Sequence, residues 1–283
     1  MLRSLNSGVS GIQQFQEQMD VIGNNIANVN TTAFKSARVE FADAFSQTLR
    51  GSAAGSATSS STTSLQVGTG VSTSSIQNQF TQGAVTRTGL PTDLAVSGQG
   101  FFVVRDPMNN STFATRAGDF RVDNNGYLVT NDGMRVQGFS DAGLSARGDI
   151  QIDATGAPAT AAAGATVASF SFDQQGQVNV RLSDGTEFIR GQVLLQNFQD
   201  PQALVKEGNN LYSGLSAAGP LTNPDVPGTM GLGRVQAGAL ELSNVDLANE
   251  FSTLITTQRA FQACSRIITT SDEMLQELVN LKR

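Results

Sequence analysis

Large apolar residues fall at seven-residue steps near the end of the chain: Leu254, Phe261, Ile268 and Leu275, with Leu247 one step earlier. Cys264 and Leu278 add a second position three residues on from that row. Thr257, Gln258, Ser265, Ser271 and Asp272 lie between, so the stripe is narrow. It is the a/d seam of a coiled coil rather than the wide face of a core helix. Neither Gly nor Pro occurs from Ser243 to Arg283, and the pattern predicts one helix over 243–283. Ser243 and Asp246 fit a capping box, and Asp246 and Glu250 sit where the helix dipole favours anions. Lys282 and Arg283 sit where it favours cations. At about 1.5 Å per residue such a helix runs on the order of 55 Å, long for an ordinary globular domain. Burying the large seam side chains yields roughly 6–12 kcal/mol. Ordering the backbone costs about 1–2 kcal/mol per residue, offset only in part by helix hydrogen bonds. The helix therefore needs a partner strip; a surface helix lying on its own domain is the plainer reading of the same pattern.

A second stripe opens the chain. Leu2, Leu5, Val9, Ile12, Phe15, Met19, Ile22 and Ile26 alternate steps of three and four. Gly8, Gly11 and Gly23 weaken this helix by about 1 kcal/mol each relative to Ala. Two weak seams, one at each end, suit pairing with each other or with neighbouring subunits. The helix should stop in the Asn-rich run NNIANVNTTAFK, Asn24 to Lys35, because Asn favours left-handed turns and bonds to its own backbone. Phe41, Ala44, Phe45 and Leu49 predict a short helix around Val39 to Leu49. Gly51 to Ser64 is small, polar and repetitive, a flexible linker or hinge.

From Leu65 to Arg87 the pattern alternates like strands, broken by Gly68, Gly70 and Gly83. Asp93 to Phe198 reads as an all-β body. A weak repeat relates Phe120–Leu128 to Phe170–Val178, each a strand, an Asp-x-x-Gly turn and a strand. Asp132-Gly133 and Asp184-Gly185 add further turns. Ala154 to Thr166 predicts a long featureless loop, and Gln192 to Phe198 one more strand. Pro220, Pro224 and Pro227 with several Gly mark an extended return linker. The division is then a helix over 1–32, a linker with a short helix over 33–85, a β-rich domain over 86–212, a return linker over 213–242 and a helix over 243–283. The fold class is α+β: long terminal helices pairing as a coiled coil, with an all-β body inserted between them.

Composition narrows the chemistry. The chain of 283 residues is enough for one large or two modest domains. It has no histidine, which removes the commonest general base and metal ligand. With 15% charged residues and a net charge of −6 it lacks the basic stripe of a nucleic-acid binder. The single Cys264 lies on the seam and reads as a small buried hydrophobe. No apolar run is long enough to span a membrane, and the N-terminus lacks the apolar core of a cleaved secretory signal. Asp123 to Gly126 fails the spacing of a calcium loop and reads as a hairpin turn. The Gly-x-Gly pairs lack the third glycine of a dinucleotide loop. No nucleophile elbow occurs. No catalytic, cofactor or metal residue is predicted, and no cofactor.

Three segments carry a resemblance. MLRSLNSGVSGIQQFQEQMDVIGNNIANVNTTAFK is similar to the N-terminus of flagellar axial proteins, in which Asn24, Asn25, Asn28, Phe34 and Lys35 match the motif closing the first helix. GALELSNVDLANEFSTLITTQRAFQACSRIITTSDEMLQEL is similar to their C-terminus, with Ser243, Asn244 and Asp246 opening the last helix. DLAVSGQGFFVVR and TRAGDFRVDNNGYLVTNDGMRV resemble the β region. Within the family the chain most resembles a short hook protein, with the distal rod protein as the alternative. The resemblance implies a structural subunit, exported unfolded by the flagellar pathway, that polymerises into a tube. Its partners are then copies of itself, other axial proteins (rod, hook–filament junction, hook cap) and the export apparatus. By position, Leu5, Val9, Ile12, Met19, Ile26, Leu254, Phe261, Ile268 and Leu275 would line an inner assembly layer. Ala33 stands where the family usually has Gly; a positive φ there would cost on the order of 1 kcal/mol. A secreted β-rich binding module or adhesin with a helical stalk is the reading from another class, and an enzyme ranks behind both.

Overall fold

The computed structural model describes residues 2–52, 60–159, 161–162, 164–221 and 223–281, in two compact units. Residues 53–59 of the expected linker, and Lys282 and Arg283, lie outside these.

The first unit takes the chain up to Ala27, Ser36–Gln79, and Val245 onward. Its frame is α1 (Leu2–Ala27) against α2 (Leu247–Leu281). The helices run antiparallel: Ser4 meets Ser271 near one end, and Asn25 bonds to Glu250 near the other. Helix pairing follows from the two seams, as expected. The start of α2 differs by a few residues from the expected Ser243. Asp246 is the cap: its Oδ1 accepts from the backbone N–H groups of Ala248 at 3.0 Å and Asn249 at 3.4 Å.

No helix forms over 39–49. Instead β1 (Ala37–Asp43) and β2 (Ser46–Arg50) pair antiparallel with β4 (Val71–Asn78) and β3 (Leu65–Gly68) respectively. The period-two pattern wins: Val39 is buried between half-exposed or exposed Arg38 and Glu40, and a bulge at Glu40/Phe41 redirects the strand. Phe41 turns its ring edge to Phe15 of α1 at 6.3 Å. The four-residue step from Phe41 to Phe45 crosses the break between two strands and is no helical repeat.

The second unit, Asn28–Lys35 with Phe80–Asn244, is the β body. Its strands are β5 (Val85–Arg87), β6 (Leu94–Ser97), β7 (Phe101–Arg105), β8 (Thr112–Thr115), β9 (Arg121–Val122), β10 (Leu128–Val129), β11 (Arg135–Phe139), β12 (Arg147–Asp149), β13 (Val167–Phe172), β14 (Gln177–Leu182), β15 (Glu187–Val193), β16 (Leu195–Gln196), β17 (Val205–Gly208), β18 (Leu211–Ser213), β19 (Arg234–Ala237) and β20 (Ala239–Glu241). The main sheet runs β13-β14-β15-β11-β7-β8-β18-β17, with β9, β10, β12 and β16 paired off that path. Two further pairs are β19 with β6 and β20 with β5, and every pairing is antiparallel. The turns at Gly126 (φ 83°) and Gly176 (φ 75°) close the two hairpins of the repeat.

The core follows from β7. Phe102 and Val104 point to one side, into a cluster with Phe120, Leu128, Val136, Val178 and Leu195. Phe101 points to the other, into an aromatic group with Tyr212 and Phe198. A strand buried on both faces reads as an unbroken apolar run, which is what Phe101 to Val104 is.

Three expectations in this body change. The strand from Gln192 to Phe198 divides into β15 and β16, and Leu195 exchanges backbone hydrogen bonds with Asp225 at 2.8 and 2.9 Å. The alanine-rich loop has no strand or helix among its described residues, yet Ala154, Ala157, Ala161 and Ala165 pack against the core. The return linker ends at residue 233 rather than 242, because β19 and β20 bury Val235, Ala239 and Glu241.

Candidate functional site: the helix pair and the roots of the helices

Within the first unit, Ile268 and Cys264 of the α2 seam lie against Gly8 and Gly11 of α1. Leu254, Phe261, Ile268 and Leu275 are all half-buried, as are Leu5, Ile12, Met19 and Ile26 of α1; Val9 is 39% exposed. The most buried positions of α2 are polar, Thr257 and Ser271. Each hydroxyl bonds back to its own helix, to Thr253 and Ile267 carbonyls at 2.8 and 2.7 Å, so burial leaves no group unsatisfied. Small residues let the helices close. A Cβ on Gly11 would lie 3.0 Å from Cys264 Sγ, and one on Gly8 would lie 3.2 Å from Ile268 Cγ1. The glycines that look like defects in the sequence are the points of nearest approach. The signal was present as small residues on one face, Ser4, Gly8 and Gly11 against Cys264 and Ser271.

The seam does not use up the apolar surface of α2. Leu247, Phe251 and Ile255 are 38%, 48% and 58% exposed, and Ile267, Met274 and Leu278 are 44%, 49% and 49% exposed. Leu247 and Leu278 are seam positions left open, and at 100° per residue Phe251 and Ile255 fall on one flank of the seam and Ile267 and Met274 on the other. These six large apolar side chains of α2 thus stay open to solvent within the single chain.

At the end of α1, Asn25 is buried and acts as a backbone substitute. Its Nδ2 donates to Ala37 O at 2.9 Å and to Glu250 Oε1 at 3.1 Å, and its Oδ1 accepts from Ala37 N–H at 3.0 Å. Burial raises the Glu250 carboxyl, and the Asn25 bond opposes the rise. Asn24 beside it is exposed.

Of the other motif residues, Asp246 caps α2, and Asn28, Phe34, Lys35, Ser243 and Asn244 belong to the β body. Asn28 makes a turn, accepting from Thr31 Oγ1 at 3.0 Å and Thr31 N–H at 3.2 Å. Ala33 is buried with φ 56°, so the cost of a positive φ raised for this position applies. Phe34 is buried under the Lys206 ammonium, 4.7 Å from its ring centroid. Asn244 Nδ2 donates to Thr81 Oγ1 at 2.8 Å, and Ser243 precedes it half-buried.

Lys35 is fully buried and donates to Glu241 Oε1 at 2.6 Å and Thr81 O at 2.7 Å. Arg116 Nη1 lies 3.5 Å from Glu241 Oε2. Burial lowers the Lys35 ammonium, with Glu241 pulling the other way, and burial likewise lowers Arg116. Sequence reasoning found Lys35 but neither partner, because both lie far along the chain in unremarkable strand contexts.

Among curated proteins, the flagellar basal-body rod protein FlgG of Bacillus subtilis is 43% identical over 283 residues, covering all of both chains. This chain belongs to the flagellar rod and hook axial protein family. The axial protein is also 35% identical over 286 residues to FlgG of Borreliella burgdorferi, again covering all of both chains. The flagellar hook protein FlgE of the same organism is 29% identical over an alignment of 444 residues, covering all of both. Three family models match: flagella basal body rod protein over residues 5–35, flagellar hook protein FlgE/F/G D1 domain over 95–180, and flagellar basal body rod FlgEFG protein C-terminal over 236–281. Lys35 and Glu241 thus fall in two separately matched segments. The axial family is structural rather than enzymatic. No helix among the described residues is long and apolar enough to cross a membrane.

Proposed function

We propose that this chain is a subunit of the distal rod of the flagellar basal body and polymerises with copies of itself. The exposed apolar side chains of α2 carry the reading: Phe251, Ile255, Met274 and Leu278 stay open to solvent in a single chain. The names of the full-length relatives favour rod over the hook expected from sequence. The hook relative needs an alignment of 444 residues to accommodate it, whereas the rod relatives align over 283 and 286. Other axial proteins then meet its two ends along the tube, and the flagellar export apparatus delivers it. Leu5, Val9, Ile12, Met19, Ile26, Leu254, Phe261, Ile268 and Leu275 belong to the inner layer of that assembly, holding each helix pair closed while the flanks meet neighbours.

Two measurements test this. Phe251→Asp and Leu278→Asp should abolish polymerisation at high protein concentration while leaving the circular dichroism of the β body intact; normal filaments from both would sink the assembly face. Immunogold labelling of isolated hook–basal bodies should mark the rod. Label confined to the hook would overturn the rod assignment and leave the axial reading standing.

A further inference from the structure

Lys35, Arg116 and Glu241 bring together parts of the β body that are distant in sequence. Their side chains are 0%, 5% and 0% exposed. Glu241 Oε1 accepts from Lys35 Nζ at 2.6 Å and from Gly83 N–H at 2.9 Å. Arg116 donates to the carbonyls of Val96 at 3.3 Å and Gly98 at 2.7 Å. Glu241 Oε2 and Arg116 Nε make no hydrogen bond, so the carboxylate is held there by charge. Backbone bonds run alongside: Ala33 N–H to Glu241 O at 2.8 Å, and Leu242 N–H to Ala84 O at 2.8 Å.

We propose that this triad is a directional charge latch: the segment ending in Asn244 holds down the segment Asn28–Lys35, and the reverse hold is weaker. The asymmetry is in the count of charges. The cluster has two cations and one carboxylate. If residues 28–35 leave, Arg116 and Glu241 remain as a neutral pair. If Glu241 leaves, Lys35 and Arg116 face each other across a buried site with no anion, and an uncompensated buried charge is strongly unfavourable. Lys35 then goes to water and takes its segment with it. The segments concerned lead directly out of α1 and into α2.

Hydrogen exchange on the full chain tests this. Glu241→Gln should raise exchange at least about tenfold across 28–35 as well as 239–244. Lys35→Met should raise it in 28–35 and leave 239–244 within about threefold of wild type. The double variant Lys35→Met/Glu241→Gln, with one buried cation instead of two, should protect 239–244 better than Glu241→Gln alone. Loosening by Glu241→Gln that stops at 239–244, or equal loosening of both segments by Lys35→Met, overturns the latch. Should Glu241→Gln not fold, wild-type protein decides. Whatever opens the Leu242 amide should also open that of Ala33, so Ala33 should be no better protected than Leu242 at any denaturant concentration; protection of Ala33 above that of Leu242 overturns the latch.

Discussion

Gly11→Ala should have opposite effects on stability depending on what stands at position 264. Alanine is better than glycine inside a helix by about 1 kcal/mol. Against that gain, the new Cβ would lie 3.0 Å from Cys264 Sγ, inside the roughly 3.5–4.0 Å at which such atoms attract. Overpacking of this kind costs about 1–3 kcal/mol, so in the wild-type background the net should run from about zero to 2 kcal/mol of destabilisation. With Cys264→Ala the sulfur is gone and the next atom, Cβ of residue 264, is 3.9 Å away, an ordinary contact. There Gly11→Ala should stabilise by about 1 kcal/mol. The assay is urea unfolding of the full chain followed at 222 nm, arranged as a double-mutant cycle. A coupling of about 1–3 kcal/mol is expected. If Gly11→Ala changes stability equally in both backgrounds, within the roughly 0.3–0.5 kcal/mol of independent sites, the two helices do not approach at this point.

Ala33→Gly should be close to neutral. Release of about 1–2 kcal/mol of left-handed strain is offset by a lost buried methyl, about 0.8 kcal/mol, and a more flexible unfolded chain, about 0.4–1 kcal/mol; a urea titration showing a gain well above 1 kcal/mol would refute the balance. Phe102→Ala should cost the β body about 3–5 kcal/mol, seen as a lower melting temperature, because its buried ring packs edge-on to Phe120 at 5.2 Å. Asp149 accepts hydrogen bonds from Gln137, Arg135 and Arg105 at 2.6, 2.9 and 2.6 Å; burial alone would raise its carboxyl, and these bonds together hold it below the ordinary aspartate value. Its folded value is depressed, so its contribution is present above the unfolded value and lost as pH falls through the folded one. Asp149→Asn should therefore flatten the loss of thermal stability between about pH 5 and pH 2, and an unchanged acid limb would refute the assignment.

Much of this molecule is legible in its sequence where one period dominates. Both helices and the hairpin turns at Gly126 and Gly176 declare themselves. The failures occur where local pattern is short or where meaning depends on a distant residue. Val39 and Phe41 sit in a strand whose partner begins at Val71, and nothing local separates that from a helical step. Gly8 and Gly11 cannot be told from helix breakers until Cys264 and Ile268 are set opposite them. Ser243 was a plausible cap by spacing; Asp246, with its carboxylate free to reach two amides, makes the bonds. Lys35 stood out only through resemblance, and its buried carboxylate lies over two hundred residues on. Ala33 is the counter-case: its departure from the family's usual Gly marks where a positive φ would carry a cost, and the residue has φ 56°.

The backbone bond from Ala33 to Glu241 has a consequence for the order in which the chain folds. About 220 residues separate the end of α1 from the start of α2. Closing an open loop of that length costs about 4.8 kcal/mol in the length-dependent part of its entropy. Once the β body has formed and joined residue 33 to residue 241, the free chain between the helices shrinks to about a dozen residues, and the same term falls to about 2.2 kcal/mol. Helix α1 should therefore be among the last parts of the chain to find its place. It waits for a body folded from the middle of the chain to carry its mate to it.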